Sequence, residues 1–155
     1  MRRGLWIAAA AALLLAACGG PVRRVSAPAA SVQQLSVRSD GQWEVQLRLQ
    51  NYSSVAMRFA AADLDLAFDN GSAARLQPRP DLTIGPEAAD VVAATVTPTA
   101  AGRARLATAL ADGQGLSYTL TGTVEAAAEG GDSRRYDIKL ASALSPVPGL
   151  PGVLR

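Results

Sequence analysis

Trp43-Glu44-Val45-Gln46-Leu47-Arg48-Leu49-Gln50 decides the fold. Trp43, Val45, Leu47 and Leu49 fall on one side of an extended chain while Glu44, Gln46, Arg48 and Gln50 fall on the other. Successive side chains in a strand point to opposite faces, so this stretch is a half-buried β-strand with Trp43 in the core rather than on a carbohydrate-stacking surface. Asp40-Gly41 before it is a turn signal and Val32 to Val37 before the turn is an earlier strand, so the two are expected to form a hairpin.

The same pattern continues outward. Ala56 to Ala60 forms a short strand, and Asp63 to Asp69 alternates again with Leu64, Leu66 and Phe68 inward. Asn70-Gly71 is a hairpin turn with Ala73 to Leu76 as the return. Pro78, Pro80 and Gly85-Pro86 mark a loop, because proline cannot donate to a sheet ladder. Ala89 to Val96 resumes as a strand. A helix is predicted next, with Thr97 as N-cap, Pro98 in its first turn, Leu106 and Leu110 on one face, and an end near Asp112-Gly113. Leu116 to Val124 and Arg135 to Ala141 are the last strands, joined by the polar loop Glu129-Gly130-Gly131-Asp132. About seven short strands and one short helix predict an all-β fold, an antiparallel immunoglobulin- or fibronectin-III-like β-sandwich.

Composition narrows the chemistry. The 155 residues contain no histidine and one cysteine, which removes histidine catalysis, a His/Cys metal site and an internal disulfide. Met1-Arg2-Arg3 followed by the apolar run Leu5 to Ala17 reads as an export signal, the run being too short for an ordinary membrane span. Without residues 1–17 the basic and acidic residues balance, so the apparent basicity belongs to the signal and nucleic acid is not an expected partner. Residues 18–30 read as an irregular tether, residues 31–144 as the sandwich, and residues 145–155 as an apolar, Pro-spaced tail that either packs back on the domain or docks a partner. Arg23 and Arg24 read as solvated linker charges.

Leu15-Ala16-Ala17-Cys18 at the end of the apolar run resembles the bacterial lipobox. The resemblance implies cleavage before Cys18 and lipidation of its thiol, and therefore a membrane partner reached through lipid. Gly19 in place of an aspartate implies, by analogy with Gram-negative sorting, the periplasmic face of the outer membrane.

A second resemblance rests on Val45-Gln46-Leu47-Arg48-Leu49-Gln50-Asn51, Leu64-Asp65-Leu66, Ile84-Gly85-Pro86 and Tyr118-Thr119-Leu120-Thr121-Gly122. In this order they resemble the type 2 late embryogenesis abundant proteins, whose shared domain is the water stress and hypersensitive response (WHy) domain. Asn51-Tyr52-Ser53 stands where that family carries Asn-Pro-Asn, with Asn51 the matching residue. The resemblance implies a sandwich without enzymatic activity, cofactor or small-molecule substrate, and a protective or binding role in desiccation stress. An accessory subunit docking on an envelope protein is the alternative.

Other candidates have plainer readings. Asn51 at a strand end is expected to turn the chain by bonding nearby backbone. Asp63, Asp65 and Asp69 could suggest a calcium or acid/base cluster, but alternation with Leu64, Leu66 and Phe68 makes them a solvent face. Asp132, Arg134 and Arg135 read as charges protecting a sheet edge. A glycosidase would need two carboxyl groups facing one another across a cleft.

Overall fold

The computed structural model describes residues 22–155; the lipobox residues Leu15, Ala16, Ala17 and Cys18 lie outside the described residues. Among the described residues, nine strands, β1 (Ala29–Val37), β2 (Trp43–Gln50), β3 (Met57–Phe68), β4 (Gly71–Leu76), β5 (Leu82–Ile84), β6 (Ala89–Val96), β7 (Leu116–Ala128), β8 (Ser133–Leu144) and β9 (Val153–Leu154), and one helix, α1 (Ala100–Ala111), follow in the order β1–β6, α1, β7–β9. One sheet has the order β6-β2-β1-β9 and the other β4-β3-β7-β8, with β5 paired to the first half of β3. All pairs are antiparallel, giving an all-β sandwich. Among the described residues no helix is long and apolar enough to cross a membrane.

The inward positions of β2 are those the alternation assigns: Trp43, Val45, Leu47 and Leu49 are all buried. Trp43 meets Phe68 of the other sheet with ring centroids 5.9 Å apart, a tilted aromatic contact that fastens the layers. Leu35, Leu64, Leu66, Leu116 and Leu120 complete the central packing with no exposed surface.

The two strands expected at Ala56 to Ala60 and Asp63 to Asp69 are one strand. A bulge between Phe59 and Ala61 inserts an extra residue, so the inward positions change from Met57 and Phe59 to Ala62, Leu64, Leu66 and Phe68. The resulting loss of phase made the sequence look interrupted. Asp69 lies beyond the strand in the turn, at φ 46°, not on the strand face with Asp63 and Asp65.

The helix also begins later than predicted. Thr99, not Thr97, is the N-cap: its Oγ1 accepts the Gly102 N–H at 3.0 Å and its hydroxyl donates to the Ser72 carbonyl at 2.9 Å. Thr99 N–H donates to the Ala73 carbonyl, so attachment to β4 fixes where the helix can start and leaves Pro98 buried ahead of it. Gly102 permits the close approach, since a Cβ there would lie 2.8 Å from the Ala73 backbone.

The first described residues and the C-terminal tail are both held to the sandwich. In the tail, Ser145 and Arg155 exchange backbone hydrogen bonds, Val147 N–H donates to Val153 O, and β9 pairs with β1, burying Leu154 completely. Of the two readings of the tail, packing back is the one adopted. Of the expected tether, residues 18–21 lie outside the described residues, the segment from Val22 is bonded to the loops described next, and Ala29 and Ala30 already belong to β1.

Candidate functional site

The end of the sandwich nearest the N-terminal segment collects the loops after β2, β5 and β7. Asn51 is at its centre, with no exposed surface. Its Nδ2 hydrogens are shared among the carbonyls of Val55 (2.9 Å), Ile84 (3.2 Å) and Gly85 (2.9 Å), while its Oδ1 accepts the Ser53 N–H at 2.8 Å. Its backbone N–H donates to Ala88 O. Every bond goes to this chain's own backbone, so Asn51 is a loop tie, as expected for an Asn ending a strand. The buried amide leaves no donor facing outward for a ligand.

The N-terminal segment is clipped to the same loops. Ser53, also fully buried, accepts Ser26 N–H at 3.0 Å; Ser54 Oγ accepts Arg24 N–H at 2.8 Å and donates to Val22 O at 3.0 Å. The Arg24 guanidinium donates to Tyr52 O at 3.1 Å and pairs with Glu87 at 2.8 Å, and Arg23 donates to the Glu129 carbonyl. Arg23 and Arg24 are thus clip residues rather than free linker charges. Sequence inspection missed this role because every acceptor is more than 25 residues away along the chain.

A second tie crosses the sandwich. Tyr118 on β7 is buried and its Oη accepts Val32 N–H at 3.1 Å. Val32 stands at the bulge in β1, where the ladder to β2 shifts register, so the phenol takes up a backbone donor near the irregularity.

The acidic residues of β3 form ion pairs and hydrogen bonds on the outer face. Asp63 accepts Arg75 Nε and Nη2, each at 2.7 Å, and Gln77 Nε2 at 3.2 Å; Asp65 accepts Ser72 Oγ at 2.5 Å; Asp69 pairs with Arg105. The Arg75 hydrogen bond holds the Asp63 carboxyl below its ordinary range. Whatever stability this exposed pair contributes is present above the ordinary carboxylate pKa and lost as pH falls through the lowered value. Among the described residues no group of three or more His, Cys, Asp or Glu side chains could hold a metal ion. A cleft of about 370 Å³ includes both Asp63 and Glu125 in its lining. Arg75 favours ionised Asp63, which sets that residue apart from the general-acid role.

Asp132, Arg134 and Arg135 lie at the start of or just before β8, an edge strand, and all three are exposed. Their placement fits the edge-protecting role.

The class defined by these elements is an antiparallel β-sandwich with tied loops at one end. No family model and no curated protein matches the chain. Similar solved structures include a Northeast Structural Genomics Consortium target at 15% identity, covering 82% of this chain and 92% of that one, with a TM-score of 0.49. A protein from Archaeoglobus fulgidus is 13% identical, covering 80% and 98%, with a TM-score of 0.46. A Bordetella pertussis protein provisionally named ApaA is 12% identical, covering 83% and 99%, with a TM-score of 0.49.

Asn51→Ala is expected to lower stability by about 2–3 kcal/mol, because it removes a partner from three carbonyls and one buried N–H at once. Asn51→Asp should retain the Ser53 contact but not the donated bonds, and so fall nearly as far. Chemical denaturation of both variants checks this; a loss below about 1 kcal/mol for Asn51→Ala would reject the tie.

Proposed function

We propose that this chain is a lipid-anchored, non-catalytic β-sandwich of the type 2 late embryogenesis abundant kind, held by Cys18 at the periplasmic face of the outer membrane and serving as a protective or binding module in desiccation stress. The carrying observation is the pairing of a lipobox at Leu15 to Cys18 with a domain clipped down from Val22 onward. Residues 18–21 can span at most about 14 Å, so the Asn51 loops would sit close to the lipid surface rather than at the end of a long leash. The non-catalytic reading is supported by the self-contained bonding of Asn51 and Tyr118, whose buried side chains are engaged by this chain's own backbone.

The alternative accessory-subunit reading loses one of its docking elements, since the tail is folded against β1. Its remaining support would be an open strand edge. Survival after drying separates the readings: a deletion strain should lose viability relative to its parent and recover with the wild-type gene. Unchanged survival, together with one stoichiometric foreign protein on pull-down from solubilised envelopes, would favour the accessory subunit.

A further inference from the structure

We propose that the free edge of β6 pairs with the β6 edge of a second copy, joining the two four-stranded sheets into one eight-stranded sheet across a two-fold axis at Ala93. The sandwich treats its edges unequally. β8 carries exposed Arg134, Arg135, Asp137 and Lys139, and β9 is only two residues long. By contrast, β6 reads Ala-Asp-Val-Val-Ala-Ala-Thr-Val over eight residues, with Asp90 its only charge and no proline or bulge. An edge of this length with a single charge near its start is a template for strand addition.

The hydrogen-bond phase identifies the available groups. Asn51 N–H bonds Ala88 O, and antiparallel pairs alternate between bonded and non-bonded, so Leu49/Asp90, Leu47/Val92, Val45/Ala94 and Trp43/Val96 are the bonded pairs. Val91, Ala93 and Thr95 therefore direct their backbone groups to the open edge. The Asp90 carboxylate accepts Val91 N–H at 2.8 Å, giving that donor a local partner in the single chain.

A two-fold axis at Ala93 places Ala93 opposite Ala93 and Val91 opposite Thr95, giving about six backbone hydrogen bonds in three reciprocal pairs. Asp90 then lies opposite Val96 of the other copy. Val96 and Thr97 line a groove of about 530 Å³ with Arg75 and Arg79, and Arg79 forms no ion pair among the described residues. Once Val91 N–H bonds across the new interface, the Asp90 carboxylate is free for the Arg79 guanidinium. The strand is self-complementary in hydrogen bonding, Asp90 on it and Arg79 in the loop between β4 and β5 are complementary in charge, and the two-fold closes the assembly at two copies. This complementarity favours a second copy over an unrelated strand.

Sedimentation velocity of the full chain in detergent, across a concentration series, tests the pairing. The wild type should form a dimer and Ala93→Pro a monomer with a near-native melt, because the lost N–H faces the open edge rather than β2. Asp90→Arg and Arg79→Glu should each weaken dimerisation at least about tenfold, and their combination should restore it. A wild type monomeric at every concentration, a dimer indifferent to Ala93→Pro, or no recovery in the double variant would overturn the proposal.

Discussion

Gly122→Ala is expected to destabilise the sandwich by about 3–5 kcal/mol, lowering its melting midpoint by roughly 10–20 °C. Gly122 lies on β7 opposite Leu64 of β3, at φ 141°, in backbone territory that L-side chains rarely occupy. A Cβ there would stand 2.2 Å from the Asp63 carbonyl oxygen and 2.9 Å from Leu64 Cα. Both obstacles are backbone atoms in paired strands, so neither can turn aside as a side-chain tip could. Relief requires parting β3 from β7 at the middle of the second sheet. Gly41→Ala is the control: it also has positive φ, but no heavy atom within 4 Å of the added carbon, and should cost only the conformational part of about 1 kcal/mol. Calorimetry of the two variants separates crowding from conformation, and equal losses would remove the packing argument.

The residues carrying the family resemblance have a shared physical role. Asn51 ties to Ile84 and Gly85, within the Ile84-Gly85-Pro86 segment, and Tyr118 reaches Val32 in the other sheet. Gly122 lets β7 pass close to Leu64 and Asp63 of β3. These positions lie far apart in the chain but meet at loop ties, an inter-sheet bond and a crowded strand crossing. Their fold-building contacts explain why those residue types suit this sandwich without any requirement for a ligand. Function must then be sought on the proposed anchor, the exposed faces and the open edge.

Strands with unbroken alternation were legible from the sequence, β2 above all, because a side-chain period of two follows directly from extended geometry. β3 was harder to read because one bulge shifts the inward phase between Phe59 and Ala62. β5 is three residues long, and β9 lies in a Pro- and Gly-spaced tail, so neither supplied a sustained period. The helix start depended on Thr99 meeting Ser72 and Ala73, partners outside its local sequence. Asn51 was legible as a turn-former, but its bridge to residues 84 and 85 depends on a separation of more than thirty residues. The same limit hid the Arg23 and Arg24 clip. Local chemistry marks a residue able to tie a loop; the tertiary fold selects its distant partner.

Cys18→Ala is expected to abolish lipid attachment altogether. In the proposed pathway the Cys18 thiolate takes a diacylglyceryl group from a membrane phospholipid, whose phosphate headgroup leaves as the C–S bond forms, and water then cleaves the peptide bond before residue 18, so without sulfur neither modification can proceed at that position. Each buried methylene contributes roughly 0.8 kcal/mol, making several acyl chains sufficient for stable retention where a neutral sandwich has no comparable attraction. Fractionation alone is insufficient, because an uncleaved precursor retains Leu5 to Ala17 and can still adhere to membranes. Metabolic labelling with an alkyne fatty acid and intact-mass measurement provide direct readouts. The wild type should incorporate label and begin at residue 18, while Cys18→Ala should remain unlabelled and retain its leader. The clip adds a positional test: a fluorophore at Tyr52, beside the bonded N-terminal segment, should be quenched by labelled lipid more strongly than one at Asp40. The β1–β2 turn containing Asp40 is separated from the Asn51 end by an eight-residue strand, or roughly 25 Å. An unlabelled wild type would refute the anchor. Equal quenching at both positions in a labelled protein would instead refute the short standoff.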